Sequence, residues 1–126
     1  MTGWALALHG GAGPVRGTDY SAAEAHMTEL LRKGADLLDD GASALDVVSQ
    51  MVRALEESGL HVAGRGASPN RDGVWELDAS IMDGASRRAG AVAALVGCRS
   101  PVLAARAVME KTPHVLLAGA GAAAFC

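Results

Sequence analysis

Aromatic residues are almost missing from this chain: Trp4, Tyr20, Trp75 and Phe125 are the whole set among 126 residues. A core must therefore be assembled from Ala, Val, Leu, Ile and Met, which an apolar share of 50% permits. Small side chains let helices and sheets approach closely. Positive charge is not in excess either. A formal net charge of −3 and an isoelectric point near 5.7 exclude nucleic acid as the main partner, because such binding needs a basic face. Arg87 and Arg88 are adjacent, but alone they read as a solvated turn. No apolar run approaches the roughly 20 residues of a membrane span, and "WALAL" is too short and lacks the basic flank of a signal segment. The two cysteines, Cys98 and Cys126, have no metal or redox spacing. The expected reading is a cytoplasmic protein with free thiols. Histidines at 9, 26, 61 and 114 lie far apart in sequence and point to no zinc site.

What is present is organised by glycine and by hydrophobic periodicity. "WALALHGGAG" reads as a short strand, Trp4 to Leu8, running into a glycine-rich turn. Ser21 with Glu24 three residues on predicts a capping box, and the helix it opens carries Met27, Leu30, Leu31, Ala35 and Leu38 as its stripe, with Gly41 as its stop. A second helix is expected from Ser43 to Gly59, with Ala44, Val48, Met51, Val52 and Leu55 inward. "VWELDASIMDG" then alternates with period 2, placing Trp75, Leu77, Ala79 and Ile81 on one face. "AGAVAALVG" does not alternate and reads as a strand buried on both faces. Ser100-Pro101 opens a third helix as cap and first residue, Thr112-Pro113 stops it, and "HVLLAGAG" is a last strand leading into a short alanine-rich helix. The order does not make a regular βαβ alternation and implies layered helix on sheet, α+β or α/β. The ending looks like the opening of an element, as in part of a longer protein.

Few of the chemistry-bearing residues assemble into a motif. Gly119-x-Gly121-x-x-Ala124 has the shape of a dinucleotide fingerprint, but small residues at a strand-to-helix turn also serve packing. Glu76, Asp78 and Asp83 lie close together. Such carboxylates can do acid–base work or hold a hard cation, or can accept backbone hydrogen bonds. Ser80 has no nucleophile elbow. Thr2, if Met1 were removed, would present a threonine amine that could act as nucleophile and base together.

Six blocks in order carry a resemblance: "LHGGAG", "GASALDVV", "ELDASIMDG", "AGAVAAL", "SPVLAARAVMEKTPHVLL" and "GAGAAAF". Together they resemble the N-terminal half of the plant-type L-asparaginases, or isoaspartyl peptidases, which are N-terminal nucleophile hydrolases. The resemblance implies that residues 1–126 are the α-subunit part of a precursor that cuts itself by autoproteolysis, a single domain incomplete without its β subunit. The implied fold is a four-layer αββα sandwich completed by that separate β chain, assembled as an (αβ)2 heterotetramer. The implied reaction is hydrolysis of small β-aspartyl peptides, with L-asparagine as a second substrate, by a threonine at the N-terminus of the β chain. Thr2 is then not the nucleophile, because "LHGGAG" directly after it matches the α chain's first strand and turn. A glycosylasparaginase-like activity is the nearer alternative, and a non-enzymatic or nucleotide-binding domain the more distant one.

The resemblance also assigns the stretch "HVAGRG". It is similar to the end of a loop that holds a structural sodium ion through backbone carbonyls, here those of Leu55, Glu56, Ser58, His61, Ala63 and Arg65. Carbonyl oxygens suit a hard cation, whereas a phosphate cradle would present amide donors. No organic cofactor is implied. Gly10 and Gly11 resemble a glycine turn close to the active site. Val62 stands where many relatives have an asparagine approaching the threonine. Val62 cannot hydrogen-bond, so help to the nucleophile is expected elsewhere, with Ser68 and Asn70 in "GASPN" as candidates.

Overall fold

The computed structural model describes residues 3–12 and 14–126. Thr2, and Gly13 of the glycine turn, lie outside the described residues.

Two long helices come first. The first, α1, spans Ser21–Asp39. Its expected capping box does not form: Ser21 is already helical, and its N–H is taken by the Asp19 carboxylate at 2.9 Å. Asp19 preceded the helix at the right distance to accept an orphan first-turn amide, which leaves Ser21 no capping work. The C-terminus follows expectation. Gly41 adopts φ +88°, and the amides of Gly41 and Ala42 return to the carbonyls of Leu38 and Leu37. That pair of bonds is a Schellman closure, and glycine permits the left-handed turn it requires. The second helix, α2, spans Ala44–Ser58. Ser43 caps it, accepting from the Asp46 amide at 3.1 Å and donating to the Asp46 carboxylate at 2.7 Å. The buried stripe is Val47, Met51 and Leu55, so Val47 replaces the expected Val48, which is exposed. The two helices close over Leu30, with Met27, Leu37 and Leu38 at the margin.

The expected strand from Trp4 to Leu8 is not one. The segment has no ladder partner among the described residues, and a strand exists only where its backbone groups are paired. It lies along the helices instead. Leu6 and Leu8 pack on their core, Gly34 makes room for Leu6, and the Trp4 indole donates to Asp39 at 2.9 Å.

The sheet has three strands in the order β1 (Leu77–Asp83), β2 (Arg88–Leu95) and β3 (Leu116–Ala118). β1 and β2 are an antiparallel hairpin, with Ile81 opposite Gly90 and Ala79 opposite Val92. β2 and β3 are parallel, joined across helix α3 (Pro101–Lys111). A β-bulge lies on β2 near Ala94, which has φ +50° and whose amide donates to the Asp78 carboxylate at 2.8 Å. The period-2 reading of β1 holds within the strand: Leu77, Ala79 and Ile81 face inward. Trp75 precedes the strand and is exposed, its indole bonded to the Ala67 carbonyl.

The expectation that β2 is buried on both faces is corrected. α3 covers only the face bearing Gly90, Val92 and Leu95, and Ala89, Ala91 and Ala93 on the other remain half-buried. Met82 and Leu116 on that second face are exposed. Gly90 is where α3 comes closest: a Cβ there would overlap the Ala105 carbonyl oxygen and lie 2.6 Å from the Met109 nitrogen. α3 and the closing helix α4 (Gly119–Phe125) bury Val102, Ala105, Val108 and Ala122 against Ile81, Val92 and Leu95. Arg106 ties α3 to α2, reaching Asp46 at 2.7 Å and the Ser49 hydroxyl at 3.1 Å. The architecture is mixed α/β. No described helix is long and apolar enough to cross a membrane.

The expectation of free thiols is overturned. Cys98 and Cys126 are joined in a disulfide, 28 positions apart in sequence and with their Cα atoms 6.2 Å apart. Sequence spacing could not reveal this pairing, because α3, β3 and α4 intervene and only their packing returns the chain to the start of α3.

Candidate active-site cleft

The glycine turn, the first half of α1 and the stretch after α2 meet around one cleft of about 590 Å³. Gly10, Gly11 and Val62, separated by some fifty residues in sequence, all line it, together with Tyr20, Met27 and His61. The turn needs its glycines for two different reasons. Gly11 has φ +123°, a conformation that L side chains rarely adopt. Gly10 lies against the His61 ring, and a Cβ there would stand 3.3 Å from Nδ1. His9 is exposed, and its Nδ1 accepts the Gly11 amide at 3.3 Å, so its part is local to the turn.

Beneath the turn, His61 is buried and its Nε2 lies 3.1 Å from Nδ1 of His26 on α1. The two rings are stacked with centroids 5.4 Å apart. One imidazole must donate and the other accept, so the pair fixes the tautomers relative to each other. This contact joins α1 to the loop after α2. It was not readable in sequence, since His26 and His61 are 35 residues apart and neither has a local motif. Val62, by contrast, is 77% exposed and presents an apolar side chain to the cleft.

The alternatives to a polar residue at Val62 do not assemble. Ser68 is exposed. The Asn70 side chain is spent on its own loop: Oδ1 accepts from the amides of Asp72 and Val74, and Nδ2 donates to Glu76 at 2.8 Å. The three acidic residues near β1 likewise take structural bonds, Glu76 from Asn70, Asp78 from Ala94, and Asp83 from Ala85 and Ser86. The Asp83 carboxyl is held below its usual range chiefly by the Ser86 hydroxyl.

The carbonyls named for an ion lie where α2 ends and the chain folds back. The last four carbonyls of any helix lack intrahelical donors. Here Ser58 Oγ satisfies the Leu55 carbonyl at 2.9 Å, and the loop turns tightly through Ala63 N–H to His61 O at 2.8 Å. A 3₁₀ turn, Gly64–Gly66, then packs on the helix end. A Cβ on Gly64 would come within 2.6 Å of the Glu56 carbonyl oxygen. One on Gly66 would overlap the His61 carbonyl oxygen and lie 3.2 Å from that of Gly59. The Glu56, Gly59 and His61 carbonyl oxygens thus lie close to the 3₁₀ turn, and each retains a lone pair beyond any bond it accepts. This donor set is oxygen only and neutral, which fits a hard monovalent cation. Among the described residues no group of three or more His, Cys, Asp or Glu side chains could hold a metal.

Glu56 has a second part that the sequence did not disclose. Its side chain is 4% exposed and reaches the start of α3, accepting from Ser100 Oγ at 2.6 Å and from the Val102 amide at 2.9 Å. Ser100 was expected to cap α3 through its own side chain, and it makes no such bond. The Glu56 carboxylate performs that cap, taking the N2 amide that an N-cap side chain would otherwise accept. Burial pushes the Glu56 carboxyl up, against the opposing pull of its two donors.

An asparaginase family model matches residues 2–126. The isoaspartyl peptidase of Salmonella typhimurium is 47% identical over 125 residues, which take in 95% of this chain and 40% of that protein. That of Escherichia coli is 46% identical over 125 residues, with 95% and 39% covered. The probable isoaspartyl peptidase/L-asparaginase 2 of Arabidopsis thaliana is 41% identical over 128 residues, with 99% and 39% covered. The chain therefore spans about 40% of the length of the curated relatives it matches.

Proposed function

We propose, for a chain that belongs to the asparaginase family, that it is the α-subunit portion of an isoaspartyl peptidase acting on β-aspartyl peptides and on L-asparagine. The observation that carries this reading is the asparaginase family match over residues 2–126, together with 46–47% identity over 95% of the chain to proteins named isoaspartyl peptidase. The nucleophile in this reading is a threonine that autoproteolysis exposes on a β subunit of the same precursor, in an (αβ)2 assembly. The second sheet face, with Met82 and Leu116 exposed, is the surface on which a partner sheet would complete a four-layer αββα sandwich. In the same reading the protein acts in the cytoplasm.

In this scheme the α portion shapes one wall of the active site. The Gly10–Gly11 turn brings backbone close to the reacting groups, and the His26–His61 contact holds the loop bearing Val62 against it. Val62 offers van der Waals contact only, so polar recognition of the substrate falls to the β subunit. A sodium ion held by the carbonyls of Leu55, Glu56, Ser58, His61, Ala63 and Arg65 would neutralise their crowded dipoles and stiffen the turn. This chain would supply that cage from one continuous stretch, the last turn of α2 and the loop that follows it.

The test is hydrolysis by the purified full-length protein, with β-aspartyl dipeptides, L-asparagine and sugar-linked asparagine compared by kcat/KM. The dipeptides are expected to be the best substrates, and N-terminal sequencing should find a second chain beginning with threonine. A preference for sugar-linked asparagine would replace the reading with a glycosylasparaginase-like one. A protein that stays uncut and hydrolyses none of the three would overturn it.

A further inference from the structure

We infer that Glu56 is a positioning residue for the carbonyl cage, and that through it a cation in the loop and the first turn of α3 stabilise each other. The inference rests on the sodium reading proposed above. Three elements meet at this residue. Its main chain belongs to the last turn of α2, and its carbonyl oxygen is among those assigned to the ion. Its side chain is buried and ends on Ser100 Oγ at 2.6 Å and the Val102 amide at 2.9 Å, at the start of α3. The 3₁₀ turn packs on both parts of it. A Cβ on Gly64 would stand 2.6 Å from the Glu56 carbonyl oxygen and also 2.6 Å from the Glu56 Cβ.

The last carbonyls of a helix lack intrahelical donors, and helix ends fray. Where such a carbonyl points is therefore set by what else holds its residue. Two hydrogen bonds from α3 fix the Glu56 side chain, and with it the Cα and the peptide plane that carries the oxygen. The dependence also runs the other way. α3 has no side-chain cap from Ser100, so the amide of Val102 relies on the Glu56 carboxylate. A cation on the Glu56 carbonyl holds the same residue still and lowers the ordering cost of that cap. Such coupling is reciprocal: each event strengthens the other by the same factor. The other links between α2 and α3 do not serve this purpose. Glu57 meets Arg99 at 3.5 Å, but that arginine is exposed and the pair is weak. Arg106 reaches Asp46 in the first turn of α2, far from the loop.

The full-length protein would be titrated with sodium chloride against choline chloride at constant ionic strength. Sodium affinity is read from the rise in urea-unfolding stability, and hydrogen exchange of residues 102–104 is followed in parallel. In wild type, sodium should slow exchange of those amides about tenfold. Glu56→Ala should weaken sodium binding about tenfold, and Ser100→Ala, which touches no cage carbonyl, about threefold. Glu56→Gln keeps an acceptor for Val102 and should stay within about twofold of wild type, as should Arg106→Ala, which loosens α2 from α3 elsewhere. If Glu56→Ala folds poorly, the Ser100→Ala titration and the wild-type exchange decide the question. Sodium stabilisation with exchange of α3 unchanged, or with an affinity indifferent to Ser100→Ala, would overturn the coupling and leave the sodium reading standing. So would Arg106→Ala weakening sodium as much as Glu56→Ala. A wild type that sodium does not stabilise beyond choline overturns both.

Discussion

Replacing Glu56 separates what its side chain does from what its charge costs. Its carboxylate accepts the Ser100 hydroxyl and the Val102 amide from a site only 4% exposed. Glu56→Ala removes both acceptors and leaves the Val102 amide buried without a partner. Deleting hydrogen bonds to a charged group costs about 1.5–3 kcal/mol each, less the desolvation that the carboxylate no longer suffers. We expect a net loss of about 3 kcal/mol. Glu56→Gln keeps an acceptor for Val102 and turns its amide toward Ser100, so the loss should be about 1 kcal/mol or less. The pH dependence carries the sign. Burial raises the folded-state value above the usual 4.5, so the native state holds its proton more tightly than the unfolded chain. The stability this contributes is full below the unfolded value and is lost as pH rises through the folded one. Wild type should gain stability on acidification toward pH 4.5, and Glu56→Gln should lack that increment. The assay is urea unfolding of the full-length protein followed by circular dichroism at several pH values. An Ala variant within about 1 kcal/mol of wild type, or a Gln variant as damaged as the Ala one, would refute the capping role.

Three further outcomes follow from the geometry. Gly90→Ala places a methyl group against the Ala105 carbonyl and the Met109 nitrogen, so α3 must lift from the sheet; a loss of about 1–3 kcal/mol in the same unfolding assay is expected. His26→Ala leaves the buried His61 without its 3.1 Å partner and should loosen residues 60–66, read as faster hydrogen exchange there with α3 unaffected. Asp83 titrates below its usual 3.8 because Ser86 and the Ala85 amide bond its charged form. The hairpin support it gives is present above that value and lost as pH falls through the lower, folded one. An Asp83→Asn variant should therefore show a shallower acid-unfolding limb.

Where a feature depends on neighbours in sequence, it was legible. α2 opens at Ser43 as expected, and Gly41 and Gly59 close their helices because only the left-handed turn is needed there. The alternation of β1 survived because period 2 follows from the pleat itself. The glycines at 10 and 11 and residues 60–62, far apart in sequence, line a common cleft. Errors arose where another side chain, near or distant, took over a capping task. Asp19 displaced Ser21 as the acceptor at α1, and Glu56, 44 residues away from Ser100, displaced that serine's own capping bond.

By itself, then, the sequence determined which segments are helices, where most of them stop, and to which family the chain belongs, since these rest on short-range patterns and ordered blocks. Only the tertiary structure decided that segment 4–8 finds no ladder partner among the described residues and that α3 covers one face of β2. It alone seated His26 on His61, brought Glu56 to α3 and paired Cys98 with Cys126. Each of those outcomes is a meeting of groups separated by tens of residues. Such meetings depend on how helices and sheet dock, which no local pattern encodes.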